Sequence, residues 1–118
     1  MSAEKKDIIS IKIGDYYHIK KLDNIMYICA NSSYSDIYQC TKENMPITVA
    51  FTLKEIVGKL SNDFVRIHKS TVINVGYVTI FVGNTVYVNS RSFAVGKMYK
   101  STFIERMNVL GDIRKLLK

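Results

Sequence analysis

The sequence predicts a mostly β domain with one short inserted helix and one C-terminal helix. Short runs alternate apolar and polar residues with the period of two that a half-buried strand imposes. Turn formers such as Gly14-Asp15, Asn31-Ser32-Ser33 and Gly83-Asn84 punctuate those runs every few residues. Helical spacing of apolar residues occurs in only two places, after Thr52 and after Gly96.

Residues 8–13 set Ile9, Ile11 and Ile13 against Ser10 and Lys12. With Gly14-Asp15 as the turn and 16–20 as the return, they read as a β-hairpin. Residues 25–30 are almost all apolar, the composition of a strand buried on both faces. After the turn at 31–33, strand character resumes over 36–41 with Ile37, Tyr38 and Cys40. Lys42-Glu43-Asn44 forms a polar link, and 47–51 is a further strand that cannot begin before Pro46. Thr52-Leu53-Lys54-Glu55 has the spacing of a capping box, and Leu53, Ile56, Val57 and Leu60 follow as one apolar stripe. Gly58 keeps that helix short.

The stretch 63–74, DFVRIHKSTVIN, organises the second half. Val65 and Ile67 alternate with Arg66 and His68 as in a strand, which should end by turning Lys69 outward. Ser70 is then expected to cap a single helical turn running toward Asn74, whose free N–H groups would lie beside Lys69. Residues 77–82 and 85–88 flank the Gly83-Asn84 hairpin signal, and after a turn at 89–91 residues 92–95 form a ninth strand. From Gly96 the spacing becomes helical, with Tyr99, Phe103, Met107 and Leu110 on one side. Ile113, Leu116 and Leu117 would extend that stripe past Gly111.

A chain of 118 residues fits a single domain, with its core over about 8–107 and a C-terminal helical tail over 108–118. No apolar run approaches the roughly 20 residues of a membrane span, and the charged start lacks a signal-peptide centre. The expected location is cytoplasmic. Cys29 and Cys40 match neither a zinc spacing nor a disulfide framework and are expected to be free, partly buried thiols. Charge is unevenly spread. Residues 1–63 hold eight lysines and eight acids, whereas 64–104 hold Arg66, Lys69, Arg91, Lys97 and Lys100 and no acid. An acid-free basic run within a net charge of +7 suits a polyanion.

Catalytic material is sparse. His68 with Ser70 is the one conceivable base and nucleophile, yet nothing requires them to face each other and no third group orients the histidine. His18, His68 and the cysteines match no metal site, so no metal, cofactor or enzymatic activity is expected. Three turns carry small polar or basic residues suited to phosphates and base edges: 31–35, 68–71 and 96–100. In the last, Gly96 permits close approach while Lys97 and Lys100, three apart, share a face. Each turn alone also fits an ordinary solvated loop; the basic run joins them into a nucleic-acid reading.

At FVRIHKSTVIN, followed by FAVGKMYK, the chain resembles the LytTR DNA-binding domain, the output module of LytR/AlgR-type bacterial response regulators of two-component systems. The Asp23-Asn24-Ile25 turn and the 52–56 segment fit the same pattern. The resemblance implies an elongated antiparallel β-sandwich that binds duplex DNA sequence-specifically without catalysis, its loops entering successive major grooves. It places contacts at Ser35 beside Tyr34, at Lys69 between His68 and Ser70, and near Lys97 and Met98, with Lys100 close by. Ser35 is short for a base reader, Met98 stands where arginine is frequent, and Gly96 replaces a frequent serine. The resemblance further implies promoter repeats as the DNA partner, two copies paired on them, and a receiver domain or sensor partner outside this chain. The Met1-Ser2-Ala3 start favours a stand-alone regulator.

Two other readings compete. Eight tyrosines could stack single-stranded nucleic acid, but Tyr27, Tyr38 and Tyr87 sit among aliphatic residues and read as structural. A basic face could also dock an acidic protein.

Overall fold

A computed structural model describes residues 7–41 and 45–117. The expected 42–44 link and the charged 1–6 start lie outside those residues. Among the described residues ten strands are arranged in three antiparallel sheets. β1 (Ile8–Ile13) and β2 (Tyr16–Lys21) form a hairpin. A five-stranded sheet follows the order β5-β4-β3-β7-β6, from β3 (Ile25–Asn31), β4 (Tyr34–Gln39), β5 (Ile47–Val49), β6 (Phe64–His68) and β7 (Thr71–Asn74). The third sheet runs β10-β9-β8, from β8 (Val78–Val82), β9 (Thr85–Val88) and β10 (Arg91–Ala94). The helices are α1 (Leu53–Val57) and α2 (Lys100–Met107).

The five-stranded sheet is the middle of the sandwich. One face packs Ile25, Ile28, Ile37 and Val72 against Ile9 and Ile11 of β1 and Leu53 and Ile56 of α1. The other packs Met26, Tyr27, Val65, Ile67 and Ile73 against Val86, Val88 and Phe103. Residues 25–28 are all buried, as a strand covered on both sides requires. The register of β3 against β4 shifts between Ile25 and Tyr27, which puts the neighbours Met26 and Tyr27 into the same cluster. The result is elongated, 50 × 39 × 27 Å.

Several elements differ from expectation. No helical turn follows Ser70: residues 71–74 form β7, entirely buried and bonded to both β3 and β6. Thr71, Val72 and Ile73 are β-branched and fit that central position. The cap falls four residues later, where the Asn74 side chain accepts from the Gly76 N–H at 2.9 Å. β4 starts at Tyr34 because Asn31 pairs directly with Tyr34 across a two-residue turn in which Ser32 has φ +60°. α1 carries its capping box but stops after five residues, and Gly58 is its C-cap. α2 stops at Met107, where Asn108 turns left-handed at φ 54°. Leu110 is fully exposed, and 113–115 is a lone 3-10 turn, so the apolar stripe ends near Met107.

Arg106 reaches back from α2 to donate to the carbonyls of Asn62 at 2.6 Å and Phe64 at 3.1 Å. Buried Asn74 performs a similar task inside the core, its Nδ2 donating to the Ile25 carbonyl at 3.0 Å. Removing that amide leaves a buried carbonyl without a donor. Asn74→Ala should therefore cost about 1–3 kcal/mol of stability, read as a lower urea midpoint with unchanged slope.

Candidate nucleic-acid interface

Antiparallel pairing delivers the first two sequence-predicted turns to the same end of the sheet. β3 and β6 run toward that end, β4 and β7 run away from it, and their links are the turns at 32–33 and 69–70. Backbone bonds outside the regular ladders then join all three turns. Ala30 N–H donates to the Ser70 carbonyl at 2.8 Å, and Gly96 N–H donates to the Ile67 carbonyl at 2.7 Å. The 68–71 turn is thus tied on one side to the strand entering the 31–35 turn and on the other to the segment entering α2.

The middle turn is tightly built. Ile67 is the extra residue where the β6–β7 register shifts between Arg66 and His68. Arg66 and His68, two apart on one strand, project to one face. The Arg66 guanidinium donates from Nε to the His68 carbonyl at 3.2 Å and from Nη2 to the Lys69 carbonyl. His68 Nδ1 accepts from the Ser70 N–H at 3.2 Å and lies 2.9 Å from Ser70 Oγ. An accepting Nδ1 leaves the ring proton on Nε2 in the neutral tautomer. His68 and Ser70 do meet, although nothing in the sequence requires it. Their contact is local, Nδ1 also accepts a backbone N–H, and among the described residues no carboxylate hydrogen-bonds the ring. Lys69, at the tip, is exposed. Because the Ser70 N–H already has a partner, Lys69 offers its ammonium alone in place of the lysine and helical-turn pair expected from sequence.

In the 31–35 turn the expected contact at Ser35 does not fit. Ser35 is completely buried, and its hydroxyl donates to the Phe51 carbonyl at 2.7 Å, holding β4 to the lead into α1. Tyr34 beside it is half-exposed and is the large side chain this turn presents, with Asn31, Ser32 and Ser33 also exposed. In the third turn Lys97 is exposed and Met98 almost wholly so at 90%. Lys100 is half-buried and has interactions within the protein. At Gly96 a Cβ would sit 3.2 Å from the Tyr99 ring and 3.5 Å from the Ile67 carbonyl, so glycine permits the close approach of this segment to β6.

Two arginines of the basic run have structural partners. Besides Arg66, Arg91 lies 5.6 Å from the ring centres of Tyr27, Tyr38 and Phe93, and Tyr27 stacks on Tyr38 at 4.5 Å. Burial opposes the Arg91 charge, but the Tyr27 and Tyr38 hydroxyls outweigh it and raise its pKa. Burial pushes the Tyr27 hydroxyl up, against the pull of Arg91. Tyr27 and Tyr38 are thus structural, as expected, whereas Tyr87, expected to be structural too, is exposed on β9. The cysteines are both free; Cys40 is exposed, not partly buried as expected, while Cys29 is half-buried with its thiol pushed up by burial. Among the described residues no three His, Cys, Asp or Glu side chains gather as metal ligands, and no helix is long and apolar enough to cross a membrane.

The profile of the LytTr DNA-binding domain matches residues 15–108. The chain belongs to the LytTr DNA-binding domain family. Family membership makes it a DNA-binding domain. Among solved structures it is similar to the LytTr DNA-binding domain of a protein described as a methyl-accepting/DNA response regulator from Bacillus cereus. That likeness has a TM-score of 0.69 at 21% identity and covers 88% of this chain and 99% of the other. No curated protein sequence matches.

The Arg66 clamp is the site feature that sequence reasoning missed, although the two-residue spacing of Arg66 and His68 on one strand was a signal for it. Arg66→Lys retains the charge and loses the planar fork. Its expected effect is to speed hydrogen exchange at the Ser70 amide about tenfold, corresponding to about 1.4 kcal/mol of lost local stability. Exchange measured by NMR at residue resolution checks it, and an unchanged rate would mean that the clamp does not hold the turn.

Proposed function

We propose that this LytTr domain is a sequence-specific regulator of transcription that reads duplex DNA in successive major grooves through its three joined turns, without catalysis or a cofactor. The observation that carries this reading is the pair of backbone bonds from Ala30 to Ser70 and from Gly96 to Ile67. They hold three short turns bearing Tyr34, Lys69, and Lys97 with Met98 as one rim. His68 and Ser70 position Lys69, and Lys100 adds charge behind Lys97. Ser35 is not carried into this set because its hydroxyl is engaged inside the fold. We take residues 1–118 as one such domain, with its core over about 8–107, acting in the cytoplasm under a receiver domain or sensor partner outside this chain.

Net positive charge alone would attract any duplex, so the test must separate local contact from general attraction. Lys54 and Lys69 carry the same charge, but Lys54 lies in the first turn of α1, beside Glu55 and within the charge-balanced residues 1–63. Lys69→Ala should lose at least about tenfold in affinity, about 1.4 kcal/mol, while Lys54→Ala stays within about threefold. Removing one phosphate contact should also lower the slope of log affinity against log salt by about 0.9. Fluorescence anisotropy at several salt concentrations, with thermal melts of both variants, reads these effects. Equal losses would leave only a generally basic protein. A preference for single strands over the matched duplex would favour tyrosine stacking instead.

One small rim offers few base contacts, so two copies should bind a promoter repeat on one face of the duplex, with half-sites about one or two helical turns apart. Inserting about half a turn between them should weaken binding at least about tenfold. Unchanged affinity would rule out the paired arrangement.

A further inference from the structure

The β8–β9 turn belongs to the same rim. Gly83 and Asn84 form its two central residues, and both are exposed. Gly83 has φ +63°, the left-handed first position of a Gly-X hairpin turn. Beyond the last ladder pair, Ala94 with Thr85, Val95 N–H donates to the Asn84 carbonyl at 2.7 Å. The next residue, Gly96, donates to the Ile67 carbonyl at 2.7 Å, and Lys97 and Met98 follow it. Backbone bonds from Val95 to Asn84 and from Gly96 to Ile67 therefore tie this turn to residues 67–70, which the Ala30 to Ser70 bond ties in turn to β3. The Asn84 main chain is fixed at one residue's remove from the segment that presents Lys97. This turn lies in the acid-free run of residues 64–104, and no carboxylate in that run repels a phosphate from it.

We propose that the Gly83-Asn84 turn is a fourth contact to duplex DNA, with the Asn84 amide donating to a backbone phosphate beside the one that Lys97 meets. A neutral amide at this place adds a hydrogen-bond donor without further charge. Such a contact positions the duplex without reading its sequence. The inference rests on the reading of the protein as a duplex-DNA binder and extends the interface beyond the three turns that the sequence singles out.

The test uses isosteric charge changes at the two ends of the molecule. Asn84→Asp places a carboxylate at the proposed phosphate. Asn24→Asp makes the same change at an exposed residue before β3, at the opposite end of that strand from the rim. The probe is a labelled duplex enriched by the protein itself from a random-sequence pool. Asn84→Asp should weaken binding at least about tenfold and Asn24→Asp no more than about threefold, whereas Asn84→Lys should tighten binding and steepen the salt slope by about 0.9. Thermal melts establish that each variant is folded, and Asn84→Lys keeps the test decisive if the aspartate loosens the turn. Equal losses at Asn84 and Asn24, or no gain from the lysine, would overturn the proposal. Lys69→Ala in the same assay separates two failures. If it weakens binding while the Asn84 variants bind like wild type, the fourth contact alone is wrong; if none of them changes binding, the whole rim is wrong.

Discussion

Burial of β3 on both faces is the constraint from which the architecture follows. Ile25, Met26, Tyr27 and Ile28 are all buried, and each large apolar side chain removed from water contributes about 1.5–3 kcal/mol. A strand with that composition cannot lie at an edge or under a single layer. It requires neighbours on each side, supplied by β4 and β7, and a cover on each face. The β1–β2 hairpin and α1 form one cover, and the β8–β10 sheet with α2 forms the other. Because both neighbours of β3 are antiparallel, the turns at 32–33 and 69–70 emerge at one end. The rim of turns is thus a geometric result of how the core is filled.

The arginines and lysines divide their work by chemistry. Arg66 and Arg106 each satisfy two backbone carbonyls, and Arg91 lies among three aromatic rings. A planar fork with several fixed donors suits such tasks, whereas a lysine ammonium on a flexible stem is a movable point charge. Lys69 and Lys97 remain exposed at the turns. A count of basic residues along the chain registers all of them alike. The long-range field does receive every charge, but the proposed local contact falls to the lysines, because the guanidiniums at 66 and 91 are oriented by the fold.

Period-two alternation made β1, β2, β8 and β9 legible, since each lies in a hairpin with a Gly-X turn and needs only local pattern. The Thr52 and Glu55 capping box was equally local, and the structure contains it. β7 was not legible. Its four residues look too short for a strand until β3 and β6 are known to flank it, and Asn74 looks like a break until its amide is seen to bond Ile25 across the core. The same non-locality explains Ser35. Position in a polar turn suggested exposure, but whether a residue beside a turn faces in or out depends on strand register, and pairing of Asn31 with Tyr34 sends Ser35 inward. Past Met107 the apolar spacing suggested a longer helix, yet among the described residues nothing lies opposite Leu110 for it to pack against.

Neither helix is suited to the reading role that helices have in many DNA-binding folds. α1 has five residues, and Glu55 on its exposed side would repel phosphate. α2 buries Phe103 and Ile104, engages Arg106 with carbonyls and exposes Glu105. The turns, by contrast, are two residues long or pinned by backbone bonds on both sides. Ordering a flexible loop on binding costs conformational entropy for every residue fixed, and a prebuilt turn avoids most of that cost. In the proposed complex a few side chains on rigid turns would then achieve what a longer loop could not, because little of the gain from Lys69 or Lys97 meeting the duplex would be lost in holding its backbone still.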